Sequence, residues 1–130
     1  MRRRRSTPRT AGSHYEELAL GHLQAAGLHL RTRNFTCRLG EIDLVMDDGE
    51  VLVFVEVRYR QAPTRDGFGD GVDSVGAAKR TRLVRAAGMY LAAHPRLAHR
   101  ACRFDVVAVS GPPGAETFDW RRNAFDASPG

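Results

Sequence analysis

Residues 40–60 read GEIDLVMDDGEVLVFVEVRYR, two apolar runs joined by an acidic link that contains a glycine. In the first run Ile42, Leu44 and Met46 alternate with Glu41, Asp43 and Val45, the period of a strand with two different faces. Asp48-Gly49 is a strong two-residue turn signal, so the two runs are expected to form an antiparallel hairpin. With those two residues at the turn, Asp47 faces Glu50, Asp43 lies opposite Phe54, and Glu41 lies opposite Glu56. The return run from Val51 to Val57 is apolar on both sides until Glu56, as expected of a central strand covered on both faces. Period-two geometry sets Phe54, Glu56 and Arg58 on one face, with Asp43 as a diagonal neighbour of Glu56.

Upstream of the hairpin, Tyr15, Leu18, Ala19, His22, Leu23 and Ala26 recur at three- and four-residue spacing, the stripe of an amphipathic helix. Ser13 and Glu16 have the spacing of a capping box, and Gly27 stands where such a helix would stop. A short strand is expected from Leu28 to Arg33. Downstream, QAPTRDGFGDGVD (residues 61–73) reads as a loop. A second helix is expected from about Ser74 to Ala93, burying Val75, Ala78, Leu83, Ala86, Ala87, Tyr90 and Leu91, with Pro95 ending it. Phe104 to Val109 reads as an apolar strand, Pro112-Pro113-Gly114 as a turn, and Glu116 to Trp120 as a final short strand.

A strand, a crossover helix and another apolar strand imply one parallel, right-handed pair, while the hairpin adds antiparallel pairing. The fold class is therefore α/β, with a mixed central sheet of about five strands flanked by helices. One domain is expected over residues 12–125, between a flexible basic arm (1–11) and a flexible tail (126–130).

A chain of 130 residues suits one core, and 42% apolar content is that of an ordinary folded domain. No apolar run reaches the roughly 18 residues of a membrane span. The arginine-rich start lacks the apolar core of a signal peptide, so a cytoplasmic location without membrane attachment is expected. Cys37 and Cys102 are then free thiols, and the five histidines show no zinc-ligand spacing. Of the 20 Lys and Arg residues, five are Arg2, Arg3, Arg4, Arg5 and Arg9, which leaves 15 basic residues against 15 acidic ones. The arm either touches phosphates without reading sequence or merely keeps the chain soluble. Lys79 is the single lysine.

Carboxylates gathered on one face repel each other unless something positive compensates. A hard divalent cation, Mg²⁺ or Mn²⁺, is one compensator for Asp43 and Glu56. A salt-bridge network through Arg58 and Arg60 is the other, and spacing leaves both open. Asp105, in an apolar strand, needs a partner: it either assists the site or holds a loop through hydrogen bonds, with the structural role favoured. Trp120 and Phe125 are expected to be packing anchors.

Gly40-Glu41-Ile42-Asp43-Leu44-Val45 followed by Leu52-Val53-Phe54-Val55-Glu56-Val57-Arg58-Tyr59-Arg60 resembles the YraN-type family of small bacterial proteins. The likeness extends to Gly12-Ser13-His14-Tyr15-Glu16, Asn34, Phe68-Gly69, Val75 to Leu83, Phe104-Asp105-Val106-Val107 and Arg122-Asn123-Ala124-Phe125. That family is regarded as endonuclease-like, within the PD-(D/E)xK superfamily, so the resemblance implies a restriction-endonuclease-like fold. It further implies a metal-dependent endonuclease acting on DNA, branched DNA included because Holliday-junction resolvases share the superfamily. RNA is not excluded, and a second copy of the chain is an expected partner by the same analogy.

Carried over by position, Asp43 and Glu56 are the metal-binding acids, Glu16 is the additional acid from the first helix, and Arg58 stands where lysine is usual. Arg60, Gln61 and Lys79 are then candidates for substrate contact, and Glu41 flanks the site. Arginine grips phosphate but stays protonated near pH 7, so it cannot act as a neutral base. Arg58 thus leaves two outcomes: a nuclease that works without a lysine at this place, or a nucleic-acid binder of the same fold that does not cleave.

Overall fold

A computed structural model describes residues 11–60 and 75–125, with side chains from His14 onward. The basic arm over residues 1–10, the loop from Gln61 to Ser74 and the tail after Phe125 lie outside the described residues. The elements are α1 (Ala11–Ala25), β1 (His29–Cys37), β2 (Gly40–Asp48), β3 (Val51–Arg60), α2 (Ala77–Ala93), β4 (Cys102–Ser110) and β5 (Thr117–Phe125). The strands form one sheet in the order β1-β2-β3-β4-β5. β3 and β4 run parallel and every other neighbouring pair is antiparallel. This is the mixed α/β architecture expected from sequence, a restriction-endonuclease-like fold. No helix among the described residues is long and apolar enough to cross a membrane.

Each helix covers one face of the sheet. Ala19, Leu20, Leu23 and Leu28 pack on Leu44, Met46, Val53, Val55, Val107 and Val109. Leu83, Ala86, Ala87 and Tyr90, with Val75 and Leu97, cover Val45, Phe54, Phe104 and Val106 on the other side. Each such aliphatic or aromatic side chain contributes about 1.5–3 kcal/mol on burial, so the two layers supply most of the driving force for folding. α1 ends as Gly27 suggested: it takes φ +106, Leu28 N–H reaches the Leu23 carbonyl at 3.1 Å, and Gly27 N–H reaches that of Gln24 at 3.0 Å. Pro112 and Gly114 form the expected turn, closed by Ala115 N–H on the Pro112 carbonyl at 2.9 Å.

Several expectations are corrected. The hairpin pairs Asp48 with Val51, so its turn residues are Gly49-Glu50 rather than Asp48-Gly49. Gly49 has φ +61 at the first central position, where a II′ turn places its glycine, and Asp48 is spared a positive φ. Moving the turn by one residue moves the pairing by two, so Val45 rather than Asp43 faces Phe54, and Glu41 is not opposite Glu56. Ile42 does not share a face with Leu44 and Met46; it packs under α2 while they pack under α1. The alternation breaks at Asp43, beside Asn34, which takes φ +54.

The first helix is described from Ala11, which places Ser13 within it rather than ahead of it. β1 and β5 are longer than read, and α2 starts at Ala77. Ala78 is exposed, because the buried stripe of α2 begins only at Leu83.

Asp105 is fully buried and holds β4 to β5. Arg103 Nε donates to its two oxygens at 3.0 and 3.3 Å and the terminal nitrogen donates at 3.2 Å. Trp120 Nε1 adds a bond at 3.0 Å and Asn123 N–H another at 2.9 Å. The pairing shifts here: Arg122, Asn123 and Ala124 span the interval that Asp105 spans alone, and the bulge turns the Asn123 N–H toward the carboxylate. Asp105 therefore has a structural role, but it ties two strands rather than holding a loop. Trp120 bonds to it and Phe125 stacks on Phe104 at 4.9 Å, both as anchors.

Candidate carboxylate site

β2 and β3 stay paired only as far as Leu44 and Val55. One step further Asp43 would face Glu56; there the Asp43 Oδ2 instead accepts the Val57 N–H at 2.8 Å. The parting of the strands opens the sheet to both helices. Glu16, from the second turn of α1, hydrogen-bonds its carboxyl to that of Asp43. Lys79, from the first turn of α2, sets its Nζ 3.1 Å from Glu56 Oε2. Four elements thus bring Glu16, Asp43, Glu56 and Lys79 together.

The electrostatics follow from burial and crowding. Loss of water pushes Glu16 up to about 7, reinforced by the negative charge of Asp43 and the bond to it. Burial likewise raises Glu56 to about 7, with Asp43 adding to the effect, while Lys79 and Arg58 pull it back. Asp43 is raised by burial against the opposing Val57 N–H. Near neutral pH the cluster therefore holds a proton between Glu16 and Asp43, with Glu16 donating. Among the described residues no three His, Cys, Asp or Glu side chains are placed ready to hold a metal ion.

The remaining candidates are distributed around this centre. Arg58 is half-buried two residues beyond Glu56 and paired along the sheet with Ala108. Arg60 ends β3 opposite Ser110. Glu41 is exposed and pairs with Thr36 in β1. Gln61 lies outside the described residues.

Two features were not read from the sequence. The first is the Lys79–Glu56 pair, which brings an ammonium to the acids from a helix rather than from β3. Its signal was the solitary lysine among 20 basic residues. A cation in the first turn of a helix opposes the helix dipole, and α2 has no acid there to offset it. The second is a stack of Tyr15 on Tyr59, with centroids 4.1 Å apart and planes inclined by 16°, directly beside Glu16 and Arg58. Tyr59 is 46% exposed.

The chain matches the model of the Uncharacterised protein family UPF0102 over residues 15–109. A UPF0102 protein of Stutzerimonas stutzeri is 47% identical over 122 residues, spanning 94% of this chain and 99% of its own length. One from Nitrosococcus oceani is 48% identical over 120 residues, 92% of this chain and 94% of the relative. One from Pseudomonas aeruginosa is 46% identical over 125 residues, 95% of this chain and 98% of the relative. The matched segment contains Glu16, Asp43, Glu56, Arg58 and Lys79, and with near end-to-end similarity the chain belongs to the UPF0102 family, the YraN-type proteins.

Proposed function

We propose that this protein is a cytoplasmic, metal-dependent phosphodiesterase acting on nucleic acid, with DNA as the first substrate to consider. The observation that carries the reading is Asp43 at the point where β2 leaves β3, bonded to Glu16 from α1 and acting by its charge on Glu56 from β3. The donor set suits a hard cation, since every group is a carboxylate oxygen and the cluster already takes up a proton and an ammonium to relieve its repulsion. Glu16, Asp43 and Glu56 would hold Mg²⁺ or Mn²⁺, which when bound supplies positive charge against a phosphate oxygen.

The chain's own residues supply the rest. The Val57 N–H fixes Asp43, so its carboxylate is preoriented. Lys79 keeps Glu56 partly ionised and offers an ammonium to the negative charge that develops on the phosphoryl oxygens. Arg58 adds to that field without serving as a base. A lysine reaching the acids from α2 makes the arginine on β3 compatible with catalysis.

Incubation of the purified protein with Mn²⁺ and single-stranded, duplex and branched DNA tests the proposal. Cleavage is expected, falling at least about 100-fold in Asp43→Asn while circular dichroism stays unchanged. Absence of cleavage across the panel with metal present would overturn it. A second reading, binding without cleavage, is favoured by Lys79 already neutralising Glu56. Its mark is salt-sensitive nucleic-acid binding that chelator does not alter.

A further inference from the structure

Beside the carboxylate cluster a cleft of about 380 Å³ opens between the β1–β2 turn and α2. Cys37, Arg38 and Glu41 line it from the hairpin, and Lys79, Arg82 and Leu83 from the helix. Lys79 also reaches Glu56 at 3.1 Å, so the cleft and the acidic centre share a wall. The geometry is set by close packing: a Cβ added at Gly40 would stand 3.2 Å from the Arg82 carbonyl, so only glycine lets the turn approach the helix this closely.

Several arginines elsewhere on the molecule are held by acids. Arg31 and Arg100 are tied to Asp47, and Arg103 to Asp48 and Asp105. Arg38 and Arg82 make no hydrogen bond or ion pair with another described residue. Among the described residues Glu41 is the one acid on the lining, against three cations. Two arginines on a convex surface would simply be solvated. Here they flank a concavity with Leu83 in its lining, beside a cationic group already engaged at the acids.

We infer that this cleft seats the sugar–phosphate backbone of one nucleic-acid strand, with Arg38 and Arg82 gripping a phosphate next to the one presented at Glu56 and Lys79. The planar guanidinium fork suits bidentate contact with phosphate oxygens, and the apolar part of the lining suits the sugar. The inference rests on the phosphodiesterase reading for its orientation toward Glu56, but the grip itself needs no metal and no cleavage.

Fluorescence anisotropy with a labelled single-stranded oligonucleotide, in chelator, separates the two. The proteins compared are the full chain, the double variant Arg38→Ala/Arg82→Ala, and Arg96→Ala/Arg122→Ala, which removes the same charge outside the cleft. Loss of the cleft arginines is expected to weaken binding about 10-fold or more and to reduce the slope of log affinity against log salt by about 0.7, as the loss of one single-strand phosphate contact requires. The control pair is expected to stay within about twofold of the unaltered chain.

Equal losses in the two double variants, an unchanged affinity and slope in the cleft variant, or no binding by the unaltered chain at low salt would each overturn the inference. Binding that depends on Arg38 and Arg82 without any cleavage in Mn²⁺ would leave the cleft standing and remove the catalytic reading. Cleavage with an unchanged KM in the cleft variant would do the reverse.

Discussion

Asp105 and Asp43 are both carboxylates drawn into the sheet, and the chain treats them in opposite ways. Asp105 is fully buried and receives donors from Arg103, Trp120 and Asn123, the last turned toward it by a bulge in β5. Asp43 accepts one backbone N–H and then faces two further acids, Glu16 and Glu56, both displaced to about 7. A buried charge with all its acceptor sites filled is a fastening, costly to alter and chemically quiet. A group of acids that must retain a proton to coexist has capacity for a positively charged ligand. The same residue type, on two strands separated by β3, therefore serves stability in one place and is available for chemistry in the other.

The largest consequence is in stability. Asp105→Asn leaves the Arg103 charge without its buried partner and turns an amide NH₂ toward donors, at a cost of about 3–5 kcal/mol. Asp43→Asn relieves repulsion and is expected to leave stability unchanged or raise it. Urea unfolding with unchanged m-values measures both; similar losses for the two variants would erase the distinction.

A smaller effect is expected with pH. Glu16 and Glu56 titrate near 7 in the folded chain against an ordinary 4.5, so between those values the folded state holds more protons than the unfolded. Stability contributed by these groups is therefore fully present below about pH 4.5 and declines as pH rises through 7. The melting temperature should fall across this window, and Glu16→Gln/Glu56→Gln should flatten the profile. A profile identical to that of the unaltered chain would contradict the coupling of these acids.

The fold was legible because its signals are local and redundant. The two apolar runs of residues 42–57, Gly27, Pro95 and Pro112-Pro113-Gly114 each mark an element that the structure contains. The turn was misplaced by one residue because an Asp-Gly pair can precede or span the two central positions, and only the φ of Asp48 decides. The faces of β3 survived the error, since pairing moved by two and not by one. β5 was read too short: Arg121, Arg122 and Asn123 look like loop residues until Asp105 supplies the bond that holds the bulge. The convergence of Glu16 with Asp43 was drawn from family resemblance; local spacing favoured a cap by Ser13, a residue that lies within the helix. Lys79 and Glu56 are 23 residues apart, beyond any local pattern, and only the crossover from β3 to α2 brings them together.

Titration calorimetry of Mn²⁺ into the unaltered protein and into Asp43→Asn at pH 7, in two buffers of different ionisation enthalpy, tests the central claim most directly. Binding accompanied by release of a proton is expected in the unaltered chain, because the cation takes the place that the proton holds between Glu16 and Asp43, and that binding should be lost in the variant. No heat of binding in the unaltered chain, or equal binding in the two proteins, would contradict the assignment of this cluster as a metal site.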